Sequence, residues 1–177
     1  MLFKLLADPT QETLESIKRD FVDNSATAAG CPRLSWALSL DDPCTIIFTF
    51  DWDRIQYHWD FWQLPEFEPV MACINKWFEP GMPLVRHYLF DPPGMLDSQY
   101  VRVFVWEHSS EVDRDVLVQQ VSNKENKSRH VRAGFAIDPG QPKWCCVLLG
   151  YDSEDEARAT TFTAKMETHL VKPEFVD

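Results

Sequence analysis

Histidine titrates nearest neutrality of the common side chains, so a chain holding five of them is read first through those positions. His58 stands within Tyr57-His58-Trp59-Asp60-Phe61-Trp62, and His87 stands between Arg86 and Tyr88. That setting suits acid–base work on an apolar molecule. An imidazole moves the proton, Arg86, Tyr57 and Tyr88 supply orienting hydrogen bonds, and Trp36, Trp59 and Trp62 line an apolar cavity. His87 and His58 are therefore the candidate catalytic residues, and the other six are candidate substrate-binding residues. A second reading stands beside this one: a core histidine satisfied by a backbone carbonyl, and tryptophans that fill a core. His108, His130 and His169 fall at strand or helix ends and read as structural or solvated.

Other chemistries lack their residues. The sequence has no G-x-G-x-x-G, no phosphate-binding loop and no H-x-x-x-H, so no nucleotide cofactor and no metal is expected. Asp51, Asp53 and Asp60 read as a solvated helix start rather than a metal site. Five cysteines, with no C-x-x-C and with Cys145 and Cys146 adjacent, form neither a disulfide framework nor a zinc site. Cys44, Cys73, Cys145 and Cys146 sit among apolar neighbours, where a free cysteine behaves as a small hydrophobe.

The elements that must position these residues follow from patterning. Leu2 to Ala7 is strand-like, and Asp8-Pro9-Thr10-Gln11 reads as a helix start, with Asp8 capping and Pro9 at the first helical position. Leu14, Ile17 and Phe21 form the helical stripe. Arg33 to Leu40 alternates, placing Leu34, Trp36, Leu38 and Leu40 on one face, and the turn Asp41-Asp42-Pro43 joins it to the β-branched and aromatic run Cys44 to Asp51. A helical region from about Asp53 to Phe78 is broken at Pro65 and Pro69 into a short and a longer helix. Leu84 to Phe90 is a fourth strand, and Asp91-Pro92-Pro93-Gly94 is the most linker-like stretch.

The same order then returns. Tyr100 to Trp106 is a strand, Ser110 caps a helix to about Val121, and His130 to Ile137 and Trp144 to Leu149 form a hairpin around Asp138-Pro139-Gly140. Ser153 to Glu156 is a capping box opening a helix to about His169, and Leu170 to Val176 closes the set. Ile47 to Asp53 aligns with Cys146 to Asp152, and Leu84 to Phe90 with Leu170 to Val176. In that alignment Ala157 and Pro173 stand where the first half has His58 and His87, so one half alone carries the polar groups of a working pocket.

The expected fold class is α+β, with two tandem ferredoxin-like β-α-β-β-α-β repeats, residues 1–93 and 97–177, forming one α+β barrel. Each half would have helices on one sheet face only and an apolar opposite face that needs a cover.

Composition bounds the partners. The 177 residues are 45% hydrophobic and 25% charged, enough for a sizeable core. A net charge of −11, with an acidic excess in both halves, argues against binding a phosphate backbone, so no nucleic-acid partner is expected. No apolar run approaches the roughly 20 residues that span a bilayer, and the N-terminus does not read as a signal peptide. The expectation is a soluble cytoplasmic protein without a membrane partner, monomeric or homodimeric.

The stretch Phe48-Thr49-Phe50-Asp51-Trp52-Asp53-Arg54-Ile55-Gln56-Tyr57-His58-Trp59-Asp60-Phe61, then Leu64-Pro65-Glu66-Phe67, then Leu84-Val85-Arg86-His87-Tyr88-Leu89-Phe90 resembles the dimeric α+β barrel superfamily. That group includes antibiotic-biosynthesis monooxygenase-like proteins, stress-responsive barrels and polyketide cyclases. The resemblance covers residues 44 to 91 and is architectural from 97 to 177. It implies a pocket between sheet and helices in each half, lined from the second helix and the fourth strand, where related cyclases place acid–base histidines; His58 and His87 match those positions. The group's oxygenases often use Asn, Trp and His together. Trp59 or Trp62 could stand for the Trp, but Lys4 and Leu5 occupy the first strand where the Asn would be sought.

The leading expectation is a cofactor-independent enzyme of natural-product biosynthesis that cyclises or isomerises a hydrophobic polyketide or terpenoid intermediate, pericyclic reactions included. The alternatives are a cofactor-free monooxygenase of a phenolic substrate and a small-molecule-binding barrel without turnover.

Overall fold

The computed structural model describes residues 1–81, 85–107, 130–160 and 166–176. Its elements in chain order are β1 (Leu2–Lys4), α1 (Gln11–Ile17), α2 (Asp23–Ser25), β2 (Arg33–Leu38), β3 (Thr45–Asp51), α3 (Ile55–Phe61) and α4 (Glu68–Trp77). There follow β4 (Tyr88–Asp91), β5 (Tyr100–Trp106), β6 (His130–Ala136), β7 (Cys145–Tyr151), α5 (Glu154–Ala159), β8 (Glu167–Val171) and β9 (Glu174–Val176). The fold is α+β, with two antiparallel sheets. The chain divides into two compact units, Met1–Val85 with Glu174–Asp177, and Arg86–Pro173.

In the first unit the sheet order is β1-β3-β2-β9, and beyond β1 an isolated bridge joins Leu5 to Phe78. Alternation along β3 sends Ile46, Phe48 and Phe50 to one face, where they meet the helices. Phe48 stacks on Phe21 at 4.0 Å, and Phe3 meets both Phe48 and Phe78 edge-on or tilted. These rings form the core of the unit. The first helix is capped by Thr10, whose hydroxyl accepts from the Thr13 amide at 3.2 Å. The expected cap, Asp8, instead accepts the Cys44 thiol at 3.1 Å, because a hydroxyl three residues before Thr13 already satisfies the orphan amide. After α1 the backbone widens into a π-helical turn, Lys18–Val22, before α2. The region after β3 breaks as its prolines require: α3, a 3-10 turn at Pro65–Phe67, then α4 with Pro69 in its first turn, where its missing amide costs nothing.

The second unit has the order β4-β6-β7-β5-β8. Its core gathers Phe104, Val147, Leu149, Tyr151 and Leu170, and Ser153 caps α5 through the Glu156 amide, as the capping box requires. The expected helix from Ser110 to Val121 and His108 lie outside the described residues. The helix expected to run to His169 ends at Ala159, and His169 sits in β8.

Two pairings differ from the sequence expectation. Of the strand read as Leu84 to Phe90, Leu84 lies outside the described residues, residues 85–87 are not strand, and the strand itself is β4, Tyr88–Asp91, which pairs with β6 in the second unit; the run read as one strand from Leu170 to Val176 is broken at Lys172 and Pro173. Its first part ends β8, and its second part is β9, which pairs with β2 in the first unit. Apolar alternation identifies a strand but not its neighbour, which depends on register with a distant segment.

The close pairing of β4 with β6 depends on a glycine. Gly134 faces Phe90, and a Cβ there would stand 2.2 Å from the Leu89 carbonyl oxygen. Only a residue without a side chain lets β4 approach so closely. Gly134→Ala should therefore push β4 from β6 and lower stability by about 1 to 3 kcal/mol, read as a fall in denaturation midpoint; an unchanged midpoint would show that β4 is not held at that distance.

Candidate active site

Where the β6–β7 hairpin turns, Asp138-Pro139-Gly140-Gln141 forms a tight turn, with Gly140 at φ 78° and the Gln141 amide donating to the Asp138 carbonyl at 3.1 Å. Proline followed by a residue of positive φ is the pattern of a type II turn. The turn fixes the Asp138 carboxylate against the segment entering β4. One oxygen, Oδ2, accepts the His87 backbone N–H at 2.7 Å, and the other, Oδ1, lies 2.7 Å from the His87 ring nitrogen Nδ1. The Ile137 amide in turn donates to the His87 carbonyl at 2.9 Å.

A carboxylate can only accept, so Nδ1 carries the hydrogen toward Asp138 and proton exchange with another molecule would run through Nε2. Both side chains are largely buried, at 11% and 16% exposure, where charge-assisted hydrogen bonds are worth about 1.5 to 3 kcal/mol.

The residues flanking His87 join the same region. Arg86 lays its guanidinium 3.5 Å above the Trp144 ring, a close cation–π contact. Its Nε is buried without a hydrogen-bond partner, and so are the Tyr88 hydroxyl and the Gln141 Oε1. Each such group costs about 1 to 3 kcal/mol when left unsatisfied. Burial above all, then the neighbouring Cys146 sulfur, pushes the Tyr88 phenol far above its usual range, against a smaller opposing pull from Arg86. Tyr88 is thus a hydroxyl donor at any physiological pH.

The remaining candidates lie in the first unit. His58 is buried on α3, its ring stacked on Trp52 at 4.8 Å and near-parallel to Phe50 at 6.3 Å, with Trp62 edge-on at 4.6 Å. Tyr57 is exposed on the same helix and Trp62 is exposed just after its end, Trp59 is half-buried, and Trp36 is buried in β2 within the core. The structure thus brings Arg86, His87 and Tyr88 together in one unit and places Tyr57, His58 and Trp59 on α3, with Trp62 at its C-cap, in the other.

Asp138, Gln141 and Trp144 were missed as functional candidates. Asp138 reads in the sequence as a turn former, and nothing local signals a partner 51 residues away. Among the described residues, no group of three or more His, Cys, Asp or Glu could hold a metal, and no helix is long and apolar enough to cross a membrane.

No family model matches the sequence, and no curated protein matches it either. Solved structures do. An anthrone oxidase-like protein superposes with a TM-score of 0.66 at 11% identity, over 99% of this chain and 91% of that one. A candidate monooxygenase of Lactobacillus acidophilus gives 0.61 at 8% identity over 97% and 90%, and one of Fusobacterium nucleatum gives 0.61 at 10% over 98% and 90%. The chain shares their fold. That agrees with the α+β fold class expected from the sequence. At such identities the likeness carries architecture and no residue roles.

The dyad has a measurable stability signature. Asp138→Ala removes both acceptors from His87 and should lower stability by about 2 to 4 kcal/mol, whereas Asp23→Ala, which breaks the exposed ion pair with Lys18, should cost under about 1 kcal/mol. Equal losses in chemical denaturation would show that Asp138 does not hold His87.

Proposed function

We propose that this protein is a cofactor-independent enzyme in which His87 takes a proton from a carbon acid in a hydrophobic polyketide or terpenoid intermediate, driving its cyclisation or isomerisation. The observation that carries the reading is the Asp138 carboxylate bound at once to the backbone and the ring of His87. Such a hold sets the tautomer and the angle of the imidazole, so that Nε2 acts as a base without first reorganising, and the carboxylate stabilises the imidazolium that forms. Arg86 and Tyr88 are the donors that steady the substrate oxygen as its negative charge grows. His58, enclosed by Trp52, Phe50 and Trp62, serves shape rather than proton transfer in this reading.

The fold neighbours favour a second reading, cofactor-free oxygenation of a phenolic substrate, since two are candidate monooxygenases and one is anthrone oxidase-like. The first step is the same. The carbanion then gives electrons to molecular oxygen, so that a methylene and O2 become a carbonyl and water with no external reductant.

The common step is tested with α-tetralone in D2O. Exchange of its C2 hydrogens, followed by NMR below the melting range of both proteins, should be accelerated by the wild-type protein and fall by about 10²-fold or more in folded His87→Gln. Equal exchange in the two proteins would end the case for His87 as base. Oxygen uptake with anthrone as the probe separates the two readings: uptake favours oxygenation, and its absence with exchange intact favours cyclisation or isomerisation.

A further inference from the structure

We infer that the corner where α3 leads into α4 docks a partner protein through a basic, amphipathic segment of that partner. The inference is independent of the chemistry read at His87, because every residue it uses lies in the first unit.

A helix packed on a sheet needs one apolar stripe, and α4 has it in Val70, Cys73, Ile74 and Trp77, spaced i, i+3, i+4 and i+7 and turned to the core. Phe61 and Phe67 tie α3 and the following turn to the same core. Three large apolar residues of this corner are left over. Trp62 at the C-cap of α3, Leu64 two residues on and Met71 in the first turn of α4 are 39%, 46% and 40% exposed. One exposed apolar side chain is ordinary, but three within residues 62–71 make the kind of surface that recognises another protein. Trp and Met are both enriched in such surfaces.

The corner is also stiff. The Trp62 ring stands 4.6 Å from that of His58 and 6.4 Å from that of Phe67, and Pro65 and Pro69 restrict the backbone between the helices. An aromatic side chain already held on one side loses little freedom when its other side is covered, which is the property of an interface anchor.

Charge selects the occupant. From Asp53 to Ala72 the chain has four carboxylates, Asp53, Asp60, Glu66 and Glu68, against one cation, Arg54, and all five are exposed. A second copy docked about a twofold axis would bring Asp60, Glu66 and Glu68 against their own equivalents. An anionic lipid surface would meet the same repulsion. A segment with Lys or Arg beside an apolar stripe complements both the carboxylates and the apolar residues.

The probe is a synthetic peptide of Leu and Lys whose leucines follow the helical i, i+3, i+4, i+7 spacing, compared with one of the same composition whose leucines are spread around the helix. Fluorescence anisotropy of each labelled peptide is measured against the full chain at about 0.15 M salt, which screens long-range attraction to the acidic chain. The patterned peptide should bind at least about 10-fold more tightly than the other. Leu64→Ser with Met71→Gln, and separately Glu66→Lys with Glu68→Lys, should weaken it by about 10-fold or more. Glu12→Lys with Glu15→Lys, the same change of charge on the exposed face of α1, should alter it by less than about 2-fold. Leu64 and Met71 lie outside the core, so that variant should melt near the wild-type temperature. Equal binding of the two peptides, or equal weakening by the two pairs of lysines, would show only a general attraction to an acidic chain and overturn the inference. So would unchanged binding in the Leu64 and Met71 variant. A dimer in sedimentation, or binding to phosphatidylcholine vesicles, that this variant abolishes would give the corner to a second copy or to lipid and overturn it as well.

Discussion

A carboxylate that grips one residue at two points is the constraint on which the candidate site depends. Asp138 holds the amide and the imidazole of His87 at equal distances of 2.7 Å, and the surrounding features serve that grip. Gly140 permits the turn that presents the carboxylate, Gly134 permits the close approach of β4, and the Ile137 amide extends the ladder to the His87 carbonyl. With the backbone of residue 87 fixed, the directions of its two neighbours follow. Arg86 settles on Trp144, and Tyr88 enters the sheet opposite Ala136 with its ring stacked on Phe90.

The two units use their aromatic residues differently. In the first, Phe3, Phe21, Phe48 and Phe78 fill the core, and a second group, Phe50, Trp52, Phe61, Trp62 and Phe67, packs around and beside His58. In the second, Trp144 supports a cation and Tyr88 brings a polar tip into the interior. The position aligned with His58 in the second unit is Ala157, fully buried, whose carbonyl accepts from Arg102 at 3.2 Å. A methyl group stands there where the first unit has an imidazole.

Much of this was legible in the sequence where local rules suffice. The hairpin strands, the proline breaks after Phe61, the Ser153 capping box and the turn at Pro139 and Gly140 each follow from residues close in the chain. Distant pairing was not legible. Tyr88–Asp91 and Glu174–Val176 read as strands, yet their partners, β6 and β2, are set by register alone. The importance of His87 and its neighbours was visible as a coincidence of residue types. Asp138 was hidden, because an aspartate before Pro-Gly is fully explained as a turn until its other neighbour is seen.

The tautomer of His87 is the most direct measure of the account. Nitrogen-15 NMR of the ring-labelled protein should show neutral His87 protonated at Nδ1, with Nε2 bare, and Asp138→Asn should disturb that state while His130 keeps its own signals. A neutral ring protonated at Nε2 would contradict the account, since the nitrogen meant to accept the substrate proton would already carry one and Asp138 would receive no hydrogen from the ring.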